Sequence, residues 1–397
     1  MNITAIETIR CEEFPNLLWV QLRTSDGTVG LGETFMGAAA AEAHIHDVIA
    51  PALLGKSPHK VGFFQDKMLG YLGFNGASAE MRGRSAVDIA LWDLWGQQTN
   101  QSVAQLLGGP IRDELPVYNT CAGSGYVRQS SKQQTQNFGL GHGQVYEDLQ
   151  AFMNTPDELA YSLLEMGITA MKIWPFDYAA ELSGGYAITP AQMEKALEPF
   201  IKIRKALGDK MEIMAELHSL WSVPMALKIC HALEQFSPHW VEDPVFQDNL
   251  QSMPLVAEQT RCPIAAGERL GGLGEFASII TPQRLSVAIL DITWCGGLSV
   301  AQKVAALAEA HHTPVAAHDC TGPVALTAAV HFACGTSNVY IQEIVRAFYY
   351  GWYADVLDSL PPLHQGRISL PDGVGLGVSL QKDFLDRQDC HIRIANA

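Results

Sequence analysis

The spacing of apolar and polar positions changes period along this chain, and each change predicts a different element. Over residues 1–35 the two kinds alternate, in LLWVQLRT and then VGLGET on either side of Ser25-Asp26-Gly27. Alternation around a turn predicts an antiparallel meander. From about Ala39 to Leu107 the period becomes helical, and in RSAVDIALWDLWGQQ the residues Val87, Ala90, Leu91 and Leu94 share one face. Leu107-Gly108-Gly109-Pro110 ends that region. Residues 1–114 are therefore expected to form an α+β unit.

LPVYNTCAG then reads as a strand, followed by a polar stretch rich in Gln, Gly and Ser from Ser124 to Gln150. Such a stretch in a compact protein is either a long active-site loop or a poorly ordered insertion. From Pro156 onward short apolar runs alternate with amphipathic ones. The runs are ITAMKIWPF, MEIMAELH, HWVEDP, PIAAGE, VAILDITW, PVAAHD and VYIQEIV. With LPVYN these make eight strands separated by helix-length segments. Repeated, almost uninterrupted apolar strands with helices between them favour a (β/α)8 TIM-type barrel, of (β/α)7β character, over an open sheet. The barrel is assigned to residues 115–360, and the tail 361–397, with GRISLPDGVGLGV, is expected to return to the first domain.

Composition narrows the class. At 397 residues the chain exceeds one ordinary core, in keeping with a barrel and a cap. The formal charge, 26 − 42 = −16, argues against nucleic acid and anionic membranes as partners. The opening MNITAIETIRCEEF lacks a sustained apolar core of the kind a signal peptide needs, and no uncharged apolar run is long enough for a spanning helix. Eight scattered cysteines without a C-x-x-C pair fit a reduced, cytoplasmic protein.

Candidate chemistry lies at the C-terminal ends of the expected strands, where barrels of this kind place their active sites. Glu216, Glu242 and Glu268 follow successive strands at a spacing of 26 positions. Adjacent parallel strands lie about 4.8 Å apart, so these carboxylates converge and need a cation between them. All-oxygen ligation points to Mg²⁺, or Mn²⁺, and away from zinc. Other strand ends carry Lys172 with Trp174, His218, Asp243, Asp291, His318 with Asp319, and Glu343. Asp291 and His318 end neighbouring strands, and an aspartate holding a histidine fixes its tautomer and raises its pKa, as a general base requires. His218 stands two residues beyond Glu216, on the same face by strand alternation. It is a candidate for acid catalysis or substrate binding. Lys172 is a candidate cation for a substrate carboxylate. Gly271-Gly272-Leu273-Gly274 falls short of a dinucleotide fingerprint, and His311-His312 reads as surface. Trp174, Trp294 and Trp352 either narrow a pocket or belong to the core.

Together these segments resemble the enolase superfamily, specifically its mandelate racemase subgroup. RSAVDIALWDLWGQ, LLGGPIRDELPVY, MKIW, MAELH, WVEDP, AAGE, LDITWCGGLS, VAAHDCTGP and GVGLG carry the likeness over nearly the whole chain. The resemblance implies that Glu216, Glu242 and Glu268 bind Mg²⁺ and that His318 with Asp291 is the base. It also implies that Glu343 hydrogen-bonds the substrate carboxylate, that the first step is removal of the proton α to it, and that the protein is a homo-oligomer. Two positions depart from the pattern. Where many members carry Lys-x-Lys, this chain has Lys172-Ile173-Trp174, so one face lacks its lysine base; and Glu216 stands where aspartate is frequent. A histidine two residues after the first ligand is similar to that of acid-sugar dehydratases such as galactonate and mannonate dehydratases. The expected activity is dehydration of a sugar acid, aldonate or aldarate, to a 2-keto-3-deoxy acid. Racemisation or epimerisation is the second reading, and a non-catalytic sugar-acid-binding barrel a remote third.

Overall fold

The computed structural model describes residues 1–69, 77–126 and 146–397, so most of the polar 124–150 stretch lies outside the described residues. An antiparallel sheet opens the chain: β1 (Ile3–Cys11), β2 (Leu17–Thr24) and β3 (Val29–Phe35). The last strand of the protein, β14 (Cys390–Asn396), joins this sheet beside β1. The helix Ala79–Thr99 packs on β2 and β3 on one side and on the helix Leu298–Ala310 of the second domain on the other. That position explains a departure from the helical pattern. Val87, Ala90, Leu91 and Leu94 are buried, but so are Asp88 and Asp93, because this helix is covered on more than one face.

Eight parallel strands close into a barrel: β4 (Glu114–Thr120), β5 (Ala170–Ile173), β6 (Glu212–Glu216), β7 (Trp240–Glu242), β8 (Ile264–Ala266), β9 (Val287–Leu290), β10 (Val315–Ala317) and β11 (Val339–Ile344). Closure is the parallel pairing of β11 with β4. The helices run where the amphipathic segments predicted them, among them Pro190–Leu207, Val223–Leu233 and Pro323–Cys334, each opening with proline at or next to its first residue. Proline is suited there because its missing N–H has no partner to lose. One short helix, Asp177–Ser183, was not legible from the pattern. No full helix follows β11, so the order is (β/α)7β with a cap.

Every barrel strand contributes to a second buried cluster distinct from the main core: Tyr118, Ala170, Met214, Trp240, Ala265, Val287, Ile289, Ala316 and Ile341. These side chains fill the barrel interior, and the next inward positions toward the C-terminal ends carry the polar groups. The tail divides its contacts. Its first hairpin, β12 (Leu363–His364) and β13 (Arg367–Ser369), extends the N-terminal end of β4 instead of reaching the cap. The Leu376 N–H then donates to Asp93 at 2.7 Å, and β14 completes the return.

The end of β3 is pinned to the barrel mouth. Glu33 is fully buried and accepts from the Ala325 N–H at 3.0 Å, at the N-terminus of the helix Pro323–Cys334; burial pushes its pKa up to about 8 although the helix N–H groups favour its charge. Thr34 Oγ1 donates to the Thr293 carbonyl at 2.9 Å, and Trp294 Nε1 to the Phe35 carbonyl at 3.0 Å. These bonds deliver Phe35 and Met36 of the cap to the rim of the central cavity.

Candidate active site

Strand register brings the first two glutamates together: Glu216 and Glu242 are direct partners across β6 and β7. Glu268 lies beyond β8 and out of the simple alternation set by Ala265. Gly267 breaks that alternation with φ +124°, a value suited to glycine, and a Cβ there would meet the Ile289 carbonyl at 2.6 Å. The kink turns Glu268 inward. One oxygen from each of the three carboxylates then lies within 4.8 Å of the others, all of them buried.

The charges within this cluster favour a cation. Lys172 Nζ, 2% exposed, contacts Glu242 Oε1 at 2.9 Å, Glu343 Oε1 at 2.9 Å and Glu216 Oε2 at 3.5 Å. Burial opposes its charge, yet Glu242 and Glu343 outweigh that and hold its pKa well above the usual lysine value. Even so, burial and the charge of Glu242 push Glu216 well above the carboxylate range, and Glu216 Oε2 accepts no hydrogen bond among the described residues. An unsatisfied buried oxygen in an all-carboxylate set is the environment that Mg²⁺ suits. Glu242 is held in place from its other side by Trp240 Nε1 at 2.8 Å.

Two histidines stand beside the triad, each backed by an aspartate. His318 Nδ1 lies 2.7 Å from Asp291 Oδ2, and Asp291 Oδ1 accepts from Thr293 N–H and Oγ1, both at 2.6 Å. Burial works against the His318 charge, but Glu268, Glu343 and Asp291 push its pKa up to about 10, and its Nε2 lies 3.3 Å from Glu268 Oε2. Glu268 is correspondingly lowered to about 2: burial opposes this, and His318 and Lys172 prevail. His218 Nδ1 lies 2.6 Å from Asp177 Oδ2 on the short helix Asp177–Ser183. Burial again opposes protonation, and the Asp177 carboxylate raises the His218 pKa above its ordinary value.

His218 and Ser219 are consecutive non-glycine residues with positive φ, +48° and +53°. Such conformations cost energy and persist where surrounding bonds enforce them. Here the His218 N–H donates to Glu216 Oε1 at 2.6 Å, the Ser219 N–H to the Asp243 carbonyl at 2.7 Å, and Arg269 Nη2 to the His218 carbonyl. The strained turn directs the imidazole into the cavity.

That cavity, of about 530 Å³, is lined by Lys172, His218, Glu268 and His318 with Trp174 and Trp294, and by Phe35 and Met36 from the cap. Trp294 packs on His318 at 5.2 Å between ring centroids, and Trp174 meets His218 edge-on at 5.6 Å. Trp352 belongs to the core, 1% exposed against Phe14. Glu343 is fully buried and accepts from Tyr118 OH at 2.9 Å, the Asp319 N–H at 3.0 Å and Thr120 Oγ1. Burial disfavours its charge, but Lys172 and His318 hold its pKa below the usual carboxylate value.

Asp177 and Arg269 escaped the sequence reading. Asp177 sits in WPFDYAA, in an unforeseen helix, and meets His218 across 41 positions. Arg269 was adjacent to a proposed ligand, and that adjacency was the one available signal.

Fold and site together define a capped, closed barrel with a buried acidic cation site flanked by two aspartate-backed histidines. Residues 4–108 match the mandelate racemase / muconate lactonizing enzyme N-terminal domain, and residues 156–384 the enolase C-terminal domain-like family. The chain belongs to the enolase superfamily, in its mandelate racemase subgroup. A solved enolase of that subgroup from Agrobacterium tumefaciens, holding a succinimide residue, sodium and phosphate, is 44% identical, with a TM-score of 0.89 over 100% of this chain and 99% of that one. An enolase from Sargasso Sea environmental sequencing is 41% identical, with a TM-score of 0.89 and coverage of 100% and 99%. A Mesorhizobium loti protein provisionally named a dehydratase is 26% identical, with a TM-score of 0.82 over 96% and 97% of the two chains. Members of the superfamily are enzymes and generally use Mg²⁺.

Proposed function

We propose that this protein dehydrates a sugar acid, removing the proton α to the carboxylate and the 3-hydroxyl to give a 2-keto-3-deoxy acid. The observation that carries the reading is the pair of aspartate-backed histidines lining one cavity with Lys172 and Glu268. Elimination needs a base for C2 and an acid for the departing hydroxyl, and these are two such groups just beyond the ends of different strands. The dehydratase names of two structural relatives point the same way.

Glu216, Glu242 and Glu268 would hold Mg²⁺, which supplies positive charge to the carboxylate oxygens as electron density moves onto them. Lys172, anchored by Glu343, adds a fixed charge on the same side. His318, its tautomer set by Asp291, takes the C2 proton at Nε2. His218, held at Nδ1 by Asp177, gives a proton to the C3 hydroxyl as the C3–O bond breaks and water leaves. The resulting enol takes a proton at C3 as it becomes the keto acid. His318 must be neutral to begin, and the Glu268 carboxylate is the foremost of the charges that hold it protonated.

A second reading, epimerisation at C2, has the same support from His218, which a neutral ring would convert into a second base. Turnover in D₂O separates the two. The dehydratase reading expects keto acid, with deuterium at C3 of the product. Recovered substrate carrying deuterium at C2 with inverted configuration, and no keto acid, would sink it.

A further inference from the structure

Beside the central cavity lies a second of about 530 Å³, lined by Tyr186, Ser219, Gln247 and Glu275 among others. Phe246 and Arg269 line both, so the two adjoin. Arg269 follows the third triad carboxylate and reaches across the barrel mouth, where Nη2 holds the His218 carbonyl. Its Nε is buried and donates to nothing among the described residues. Ser219, 5% exposed, likewise has a buried hydroxyl with no partner among them. Leaving a buried donor unpaired is costly, so two at one wall mark a place where a ligand completes the bonding. Both groups donate, which calls for an acceptor, and a guanidinium suits a carboxylate best. The two carboxylates of this cavity are otherwise engaged: Asp248 is exposed to solvent, and Glu275 Oε2 accepts from the Gly271 N–H at 2.7 Å.

We propose that Arg269, with Ser219, binds a second carboxylate at the far end of the substrate, so that the enzyme prefers a dicarboxylic sugar acid to a monocarboxylic one of equal length. The inference rests on the function proposed above for the direction of the chain. With the reacting carboxylate at the triad and Lys172, and C3 at His218, the remaining carbons run past the His218 carbonyl toward Arg269.

Binding of hexanedioate and hexanoate, neither of which can be dehydrated, measured by calorimetry with Mg²⁺ present, tests the claim apart from turnover. The native protein should bind the diacid about 10- to 100-fold more tightly, the range expected of one charge-assisted pairing. Arg269→Gln should bring the ratio within about threefold, and the milder Ser219→Ala should reduce it in part. A native ratio near one, or an undiminished ratio in Arg269→Gln, overturns the proposal. A parallel keto-acid assay with hexaric and hexonic acids keeps the two claims apart. No turnover of either acid with the binding ratio intact removes the dehydratase reading and leaves the second carboxylate site standing. Turnover of the monoacid with no binding preference does the reverse.

Discussion

Asp177 Oδ2 stands 2.6 Å from His218 Nδ1, the counterpart of the 2.7 Å contact between Asp291 Oδ2 and His318 Nδ1. The aspartate fixes which nitrogen of His218 remains for the substrate. Asp177→Asn preserves shape but accepts the ring proton less well. We expect kcat to fall about 10- to 100-fold with KM little changed, since positioned acid catalysis is worth about 10²- to 10⁴-fold in full. Asp177→Glu should recover part of the loss. Steady-state kinetics checks this, and a change confined to KM would argue for a structural role only.

His318 is assigned the first proton transfer. His318→Asn should abolish exchange of the C2 proton with solvent, with a rate loss of about 10³-fold or more. Mg²⁺ binding should survive, because the triad supplies its ligands from other strands. Proton NMR of substrate in D₂O reads the exchange, and exchange at the native rate would remove His318 from the mechanism.

The triad should make stability depend on the cation. A ligand that binds only the folded state at 100 times its Kd adds about 2.7 kcal/mol. Saturating Mg²⁺ should therefore raise the melting temperature, and Glu216→Gln should raise the Mg²⁺ concentration needed for half that effect. A melting temperature indifferent to Mg²⁺ would count against the site.

His331, fully buried, accepts from the Ala104 N–H at 3.2 Å and donates to the Leu376 carbonyl at 3.0 Å, tying the cap and tail to a barrel helix. Burial lowers its pKa to about 4, below the unfolded value of 6.5. The unfolded chain therefore binds more protons between these values, and stability drops as pH falls through that window. The contribution at neutral pH is on the order of 3 kcal/mol. Denaturant titrations from pH 7 to pH 4 should show this loss, and His331→Gln should flatten it while lowering stability at pH 7.

The sequence by itself determined the barrel, the cap and most of the site, because each rests on local or periodic information. A parallel strand must expose its C-terminal residue at the mouth, so equal spacing placed Glu216 beside Glu242, and the kink at Gly267 brought Glu268 to them. The same logic set His318 beside Asp291. What the tertiary structure decided depends on contacts between segments with no shared period. Asp177 meets His218 through a seven-residue helix too short to leave a pattern. Glu343 faces Lys172, Tyr118 and Thr120 as an acceptor because barrel closure sets β4 and β5 around it. The first hairpin of the tail extends β4 and leaves the cap to β14, a choice of edge that alternation alone does not make. The unsatisfied donors of Arg269 and Ser219 emerge only once the barrel has closed, since burial is what turns a polar side chain into a demand for a partner.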